Sequence, residues 1–206
     1  MDSLASVLLA QVAEWSPAEG AAVAFAILYL LLAIRENIWC WFCAGVSTAI
    51  YVWLFISAKL YMESLLNVFY FAMAIYGWYA WRAGRDSSHE LPVTVWPLGL
   101  HVAAIIVIIV LVAVFGTWLS RYSDAAFPYV DSATTFAAVW ATFLVARKVL
   151  ENWWYWLLID TVSIFIYWSR GLELTSVLFI VYVVMIPFGL MRWTRSYRDT
   201  LQVRAS

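Results

Sequence analysis

Trp153, Trp156 and Asp160 stand at i, i+3 and i+7, a spacing that puts two indoles and a carboxylate on one helical face. Ser163 and Tyr167 continue the stripe. The surrounding run, WWYWLLIDTVSIFIYW, is apolar enough for lipid, where a carboxylate costs a few kcal/mol and so turns toward the protein interior. Indole faces beside an acid attract a cation or an electron-poor ring, through cation–π attraction, stacking and charge balance. Structural duties compete for the same side chains. Trp153, close to the start of the run, also reads as an interfacial anchor, and Asp160 as a buried hydrogen bond between helices.

A second polar face lies earlier in the chain, where Asn67, Tyr70, Gly77 and Trp81 recur at i, i+3, i+10 and i+14. Asn67 offers two donors and an acceptor within an apolar run, suited to a carboxamide or a sugar hydroxyl, and equally to interhelical glue. Glu63, one turn earlier and nearer the outer surface, is a gate candidate or a solvated residue. Asp131, Thr134 and Thr135 form a polar entrance on the same side. Asp131 is the second gate candidate, although capping a helix start is the commoner use of Asp. The candidate substrate contacts are Trp153, Trp156, Asp160, Asn67, Tyr70, Trp41, Tyr167 and Thr135.

The elements that must hold these residues are membrane helices. Of 206 residues, 66% are hydrophobic and 12% charged, and the apolar residues gather in runs of the length a bilayer requires. Spans are predicted near 18–34, 38–56, 60–81, 95–119, 130–146, 153–169 and 173–193. A net charge of -1 with dispersed basic residues excludes nucleic acid as a partner, leaving lipid and a small molecule. No Walker-type phosphate loop occurs, and no HExxH, serine–histidine pair or aspartate dyad, so neither a cofactor nor an enzyme is expected. Cys40 and Cys43 form an isolated C-x-x-C that reads as plain membrane-helix residues, and His101 as a satisfied interfacial residue.

Basic residues accumulate on the cytoplasmic side of membranes. Arg35, Arg82, Arg85, Arg147, Lys148, Arg192, Arg195, Arg198 and Arg204 follow odd-numbered spans, against Lys59, Arg121 and Arg170 on the other side. The N-terminus is therefore predicted outside and the C-terminus in the cytoplasm. Asp2 and Glu14 without a basic start argue against a cleaved signal peptide.

An ungapped shift of 115 residues lays Glu36-Asn37-x-Trp39-x-Trp41 on Glu151-Asn152-x-Trp154-x-Trp156, Trp53 on Trp168 and Trp78 on Trp193. Four spans separate the copies, so they run in the same direction. The predicted organisation is a seven-helix, all-α membrane fold in a 3+1+3 plan. It comprises an outside tail over 1–17, a first unit over 18–82, a loop and connector over 83–129, a second unit over 130–194, and a cytoplasmic tail over 195–206. The aliphatic fourth span is the passive connector. In this register Gly45 occupies the place of Asp160, which makes the site asymmetric.

With these residues in view, the chain resembles the PnuC-type vitamin transporters that import nicotinamide riboside. The resemblance rests on Glu36-Asn37-Ile38-Trp39-Cys40-Trp41, Lys59-Leu60-Tyr61, Tyr76-Gly77-Trp78-Tyr79-Ala80-Trp81, Leu144 to Trp156, and Trp153-x-x-Trp156-x-x-x-Asp160. It covers about residues 20–195. It implies facilitated diffusion across the inner membrane, trapping by a separate cytoplasmic kinase, and a fold similar to SWEET sugar transporters. Trp153, Trp156 and Asp160 would touch substrate, faced by Asn67 and Tyr70. The Pro-Gln pair of many sugar transporters is missing, and Pro187 interrupts the last span. Thiamine or another cationic vitamin suits the same aromatic acid site, and a non-transporting scaffold is the alternative of another class. The sequence leaves a homo-oligomer open.

Overall fold

The computed structural model of the chain describes residues 16–57, 61–86, 91–123, 127–169 and 173–205. These form seven helices: α1 (Pro17–Ile34), α2 (Trp39–Ser57), α3 (Tyr61–Asp86), α4 (Leu98–Tyr122), α5 (Pro128–Ala146), α6 (Asn152–Ser169) and α7 (Glu173–Ala205). Each predicted span starts within three residues of its helix. The largest difference is at the far end of α7, which runs to Ala205 rather than stopping near 193, because a charged sequence leaving the membrane keeps its helix propensity. Pro187 lies inside this helix without ending it. Most of the expected outside tail, Lys59 and Arg170 fall outside the described residues.

Five of these helices are long and apolar enough to cross a membrane. The two that fall short, α3 and α6, carry the candidate polar residues, which dilute their apolar character. Where α1 begins, Ser16 Oγ accepts from the Glu19 amide at 3.2 Å while the Ser16 amide donates to Glu19 Oε2 at 2.7 Å, with Pro17 behind the cap. In α4, Ile105, Ile106, Val107, Ile109, Val110 and Val114 are all exposed, a surface that only lipid or another apolar partner makes favourable.

Helix α2 packs against both α1 and α3, and α6 against both α5 and α7; α1 meets α7 and α3 meets α5, while α4 lies along α5. A side-chain contact adds a tie from α4 to α6, where His101 Nδ1 is 3.1 Å from the Tyr155 hydroxyl. The extended strand before α4 is pinned to the α5–α6 turn by Thr94 N to Lys148 O (2.9 Å) and Leu150 N to Thr94 O (2.8 Å).

Contacts recur between the two halves at a spacing of 112 residues. Gly77 presses on the Trp41 indole, and Gly189 presses on Trp153 in the same way. Trp41 and Trp81 meet edge-on at 5.6 Å and 88°, and Trp153 and Trp193 at 5.5 Å and 87°. Ser64 Oγ donates to Val52 O and Ser176 Oγ to Ile164 O. Glu36 and Lys148, the non-glycine residues with positive φ among those described, occupy equivalent positions just past α1 and α5. Gly77 and Gly189 are required by this packing, since a Cβ at either would stand inside the facing indole.

The expected shift of 115 is therefore corrected by three residues. Three residues are close to one helical turn, so matching strings slid by that amount keep similar side chains on similar faces. Trp41 is the counterpart of Trp153 rather than Trp156, and Asp160 is matched by Thr48 rather than Gly45. The site keeps its asymmetry, because Thr48 Oγ1 donates back to Ala44 O at 2.7 Å within its own helix.

Candidate functional site

Between the two sets of helices lies a cavity of about 380 Å³. From α6 it is lined by Asn152, Trp153, Trp156, Asp160 and Tyr167, from α3 by Asn67 and Tyr70, from α1 by Tyr29, from α2 by Tyr51 and Phe55, and from α7 by Phe179, Tyr182 and Ile186. Six of the predicted contacts, Trp153, Trp156, Asp160, Asn67, Tyr70 and Tyr167, thus share one cavity. The helical stripe on α6 explains it: these residues face inward while Trp154 and Leu158 are 57% and 66% exposed.

Asp160 is 3% exposed, and among the described residues no Lys or Arg lines the cavity. Its carboxylate sits among aromatic walls. Trp153 is held edge-on against Trp193 and backed by Gly189, so its indole cannot swing away from the cavity without a shift of α7. Tyr167 stacks on Phe179 at 5.2 Å with an interplanar angle of 11°, fixing the opposite wall. A flat ring enters between such walls with little loss of side-chain freedom, and a positive one is drawn to both the indole faces and the carboxylate.

Two predicted contacts are placed elsewhere. Trp41 lies beneath Gly77 and against Trp81, lining a smaller adjoining cavity of about 160 Å³ with Tyr29, Thr48, Tyr70 and Trp156. Thr135 lines a second chamber of about 240 Å³, together with Asp131, Thr134 and Ser163. That chamber shares Tyr70, Trp156, Tyr167 and Phe179 with the main cavity, so it reads as its antechamber. The Glu63 side chain is outside those described.

On the side of the α1 and α5 C-terminal ends, the cavity is closed. Ala33 and Val145 line its floor, and Trp193 donates from Nε1 to Ala33 O at 3.0 Å. Trp81 adjoins Trp193 at 6.4 Å, and Lys148 Nζ lies 4.7 Å from the Trp81 ring centroid and 3.0 Å from Glu36 Oε2. Beyond this layer a polar cavity of about 450 Å³ opens between Arg35, Glu36, Lys148 and Arg192. Cys40 and Cys43 are both free and buried.

Sequence reasoning missed Tyr29, Tyr51 and Tyr182 as cavity residues, and Asn152 as well. The available signal was position: these tyrosines sit within apolar runs rather than at their ends, where anchoring would place them.

A family model described as nicotinamide mononucleotide transporter matches residues 16–195. The nicotinamide riboside transporter PnuC of Escherichia coli (strain K12) is 26% identical, over 84% of this chain and 83% of that protein. The riboflavin/roseoflavin transporter RibM of Streptomyces davaonensis is 28% identical, over 98% and 96%. A crystal structure of the vitamin B3 transporter PnuC has the same fold, with a TM-score of 0.71 at 20% identity, covering 88% of this chain and 82% of that one.

Proposed function

This chain belongs to the nicotinamide mononucleotide transporter family, and we propose that it carries nicotinamide riboside across the bacterial inner membrane. The observation behind this reading is Asp160, buried in an aromatic cavity that, among the described residues, no lining Lys or Arg neutralises. A buried carboxylate left unpaired is costly, and a cationic pyridinium between Trp153 and Trp156 offsets that cost only while cargo is bound. Asp160 balances the charge or accepts from ribose hydroxyls, Asn67 and Tyr70 face it from α3, and Asp131 and Thr135 line the entrance.

In this reading all seven helices cross the membrane, as two three-helix units in a 3+1+3 plan with α4 as connector. Same-direction copies are supported by the contacts spaced 112 residues apart, and by Glu36 meeting Lys148 at the C-terminal ends of α1 and α5. The units rock about the cavity, and the Glu36–Lys148 pair with the tryptophan layer closes its cytoplasmic side. Entry is by facilitated diffusion, and a separate kinase traps the cargo. The N-terminus lies outside, and a C-terminal reporter active only in the periplasm would overturn that orientation.

A second cargo, riboflavin, is favoured by the near full-length similarity to RibM. Riboflavin is neutral and leaves Asp160 unbalanced, which places it second; thiamine shares the positive charge. Purified chain in liposomes, offered labelled nicotinamide riboside with and without an ion gradient, tests the proposal. Uptake that needs no gradient and is competed by unlabelled compound is expected. An empty lumen would favour a scaffold, and uptake of riboflavin alone would reverse the order of cargoes.

A further inference from the structure

We propose that Asn152 is a specificity-determining residue that reads an N–H donor on the cargo. The inference rests on the functional reading above and names the chemistry recognised at one end of its cavity.

Asn152 opens α6, is 0% exposed and lines the cavity. Its Nδ2 donates to Val149 O at 2.6 Å, which fixes the orientation of the amide, because only the nitrogen can serve a carbonyl. The carbonyl end, Oδ1, is then left buried without a hydrogen-bond partner. Buried polar groups are nearly always paired, and an orphan acceptor in a cavity wall calls for a donor on the ligand.

The group that serves it is an N–H on the cargo, which donates to Asn152 Oδ1. A primary carboxamide on a pyridinium ring has it, and so does the imide of a flavin. Asn152 stands eight residues before Asp160, about 12 Å along the helix, so the amide edge and the acid lie at opposite ends of an elongated cargo. This moves amide recognition from Asn67, its sequence-level candidate, to α6.

Binding to the purified full chain in detergent tests the assignment. The ligands are nicotinamide riboside and 3-acetylpyridine riboside, in which a methyl group replaces the amide nitrogen and the carbonyl is kept; riboflavin and its N3-methyl derivative form the second pair. Wild-type protein is expected to bind the N–H ligand of at least one pair tenfold or more tightly than its partner. Which pair shows the preference identifies the source of the amide edge. Asn152→Leu is expected to bind both members of that pair equally, whereas Trp156→Ala weakens both and keeps their ratio. A wild-type ratio near one overturns the inference without any variant, so it stays testable if Asn152→Leu fails to fold. A ratio preserved in a folded Asn152→Leu protein also overturns it. Binding without N–H preference sinks this inference alone; no binding of either vitamin by wild-type chain sinks it together with the functional reading.

Discussion

Lys148 Nζ lies 3.0 Å from the Glu36 carboxylate, and the two residues, 112 positions apart, occupy the same left-handed position past equivalent helices. The contact joins the turns that follow α1 and α5. With side-chain exposures of 4% and 15%, neither charge is free in water. Lys148→Met strands the carboxylate and is expected to destabilise the protein by about 3 kcal/mol. Adding Glu36→Leu should return most of that loss, because the desolvation cost disappears with the second charge. Thermal unfolding of both single variants and the double in one detergent checks this, and additive losses would refute the coupling.

Much of this fold is legible in the sequence because lipid imposes it. Apolar runs and their polar punctuation locate seven helices, and the repeated Glu-Asn-x-Trp-x-Trp string announces a duplication. The register escaped by one turn because Glu36-Asn37-x-Trp39-x-Trp41 matches Glu151-Asn152-x-Trp154-x-Trp156 letter for letter, while packing follows Gly77 on Trp41 and Gly189 on Trp153. In that string, Trp39 and Trp154 are 55% and 57% exposed, so two of the matched letters do not report on the core. The α6 face was readable from its period. Asn152 was not, because an Asn at a helix start also reads as a cap, and only its orphaned oxygen sets it apart.

Gly77→Ala and Gly189→Ala should separate stability from binding. Each new methyl enters an indole, Trp41 in the first case and Trp153 in the second, and overpacking of this kind costs about 1–3 kcal/mol. Trp41 does not line the main cavity and Trp153 does. Both variants are expected to melt at lower temperature, but only Gly189→Ala should also weaken cargo binding, by tenfold or more. Equal affinity in the two variants would show that the Trp153 position does not control the cavity.

Trp193→Phe should loosen the closed side. The indole donates to Ala33 O at 3.0 Å from a fully buried position, tying α7 to the C-terminal end of α1. Phe keeps most of the ring contacts with Trp81 and Trp153 and deletes the donor. The expected loss is about 1 kcal/mol of stability, with faster hydrogen exchange in the α1–α2 turn. Protection confined to wild-type values there would mean that the bond does not hold the turn.

Asp160→Asn is expected to weaken cargo binding while raising stability. Asn is nearly isosteric and removes a buried charge that no lining cation balances among the described residues, so the empty protein should unfold about 1–2 kcal/mol less readily. The same change removes the attraction for a positive ring, and binding of nicotinamide riboside should fall at least tenfold. Stability and function then move in opposite directions, as they do where a site stores an unfavourable charge for its ligand. Calorimetric titration and thermal unfolding on the same preparation measure both. Binding that survives intact would remove Asp160 from recognition, and a drop in both would assign it instead to helix packing.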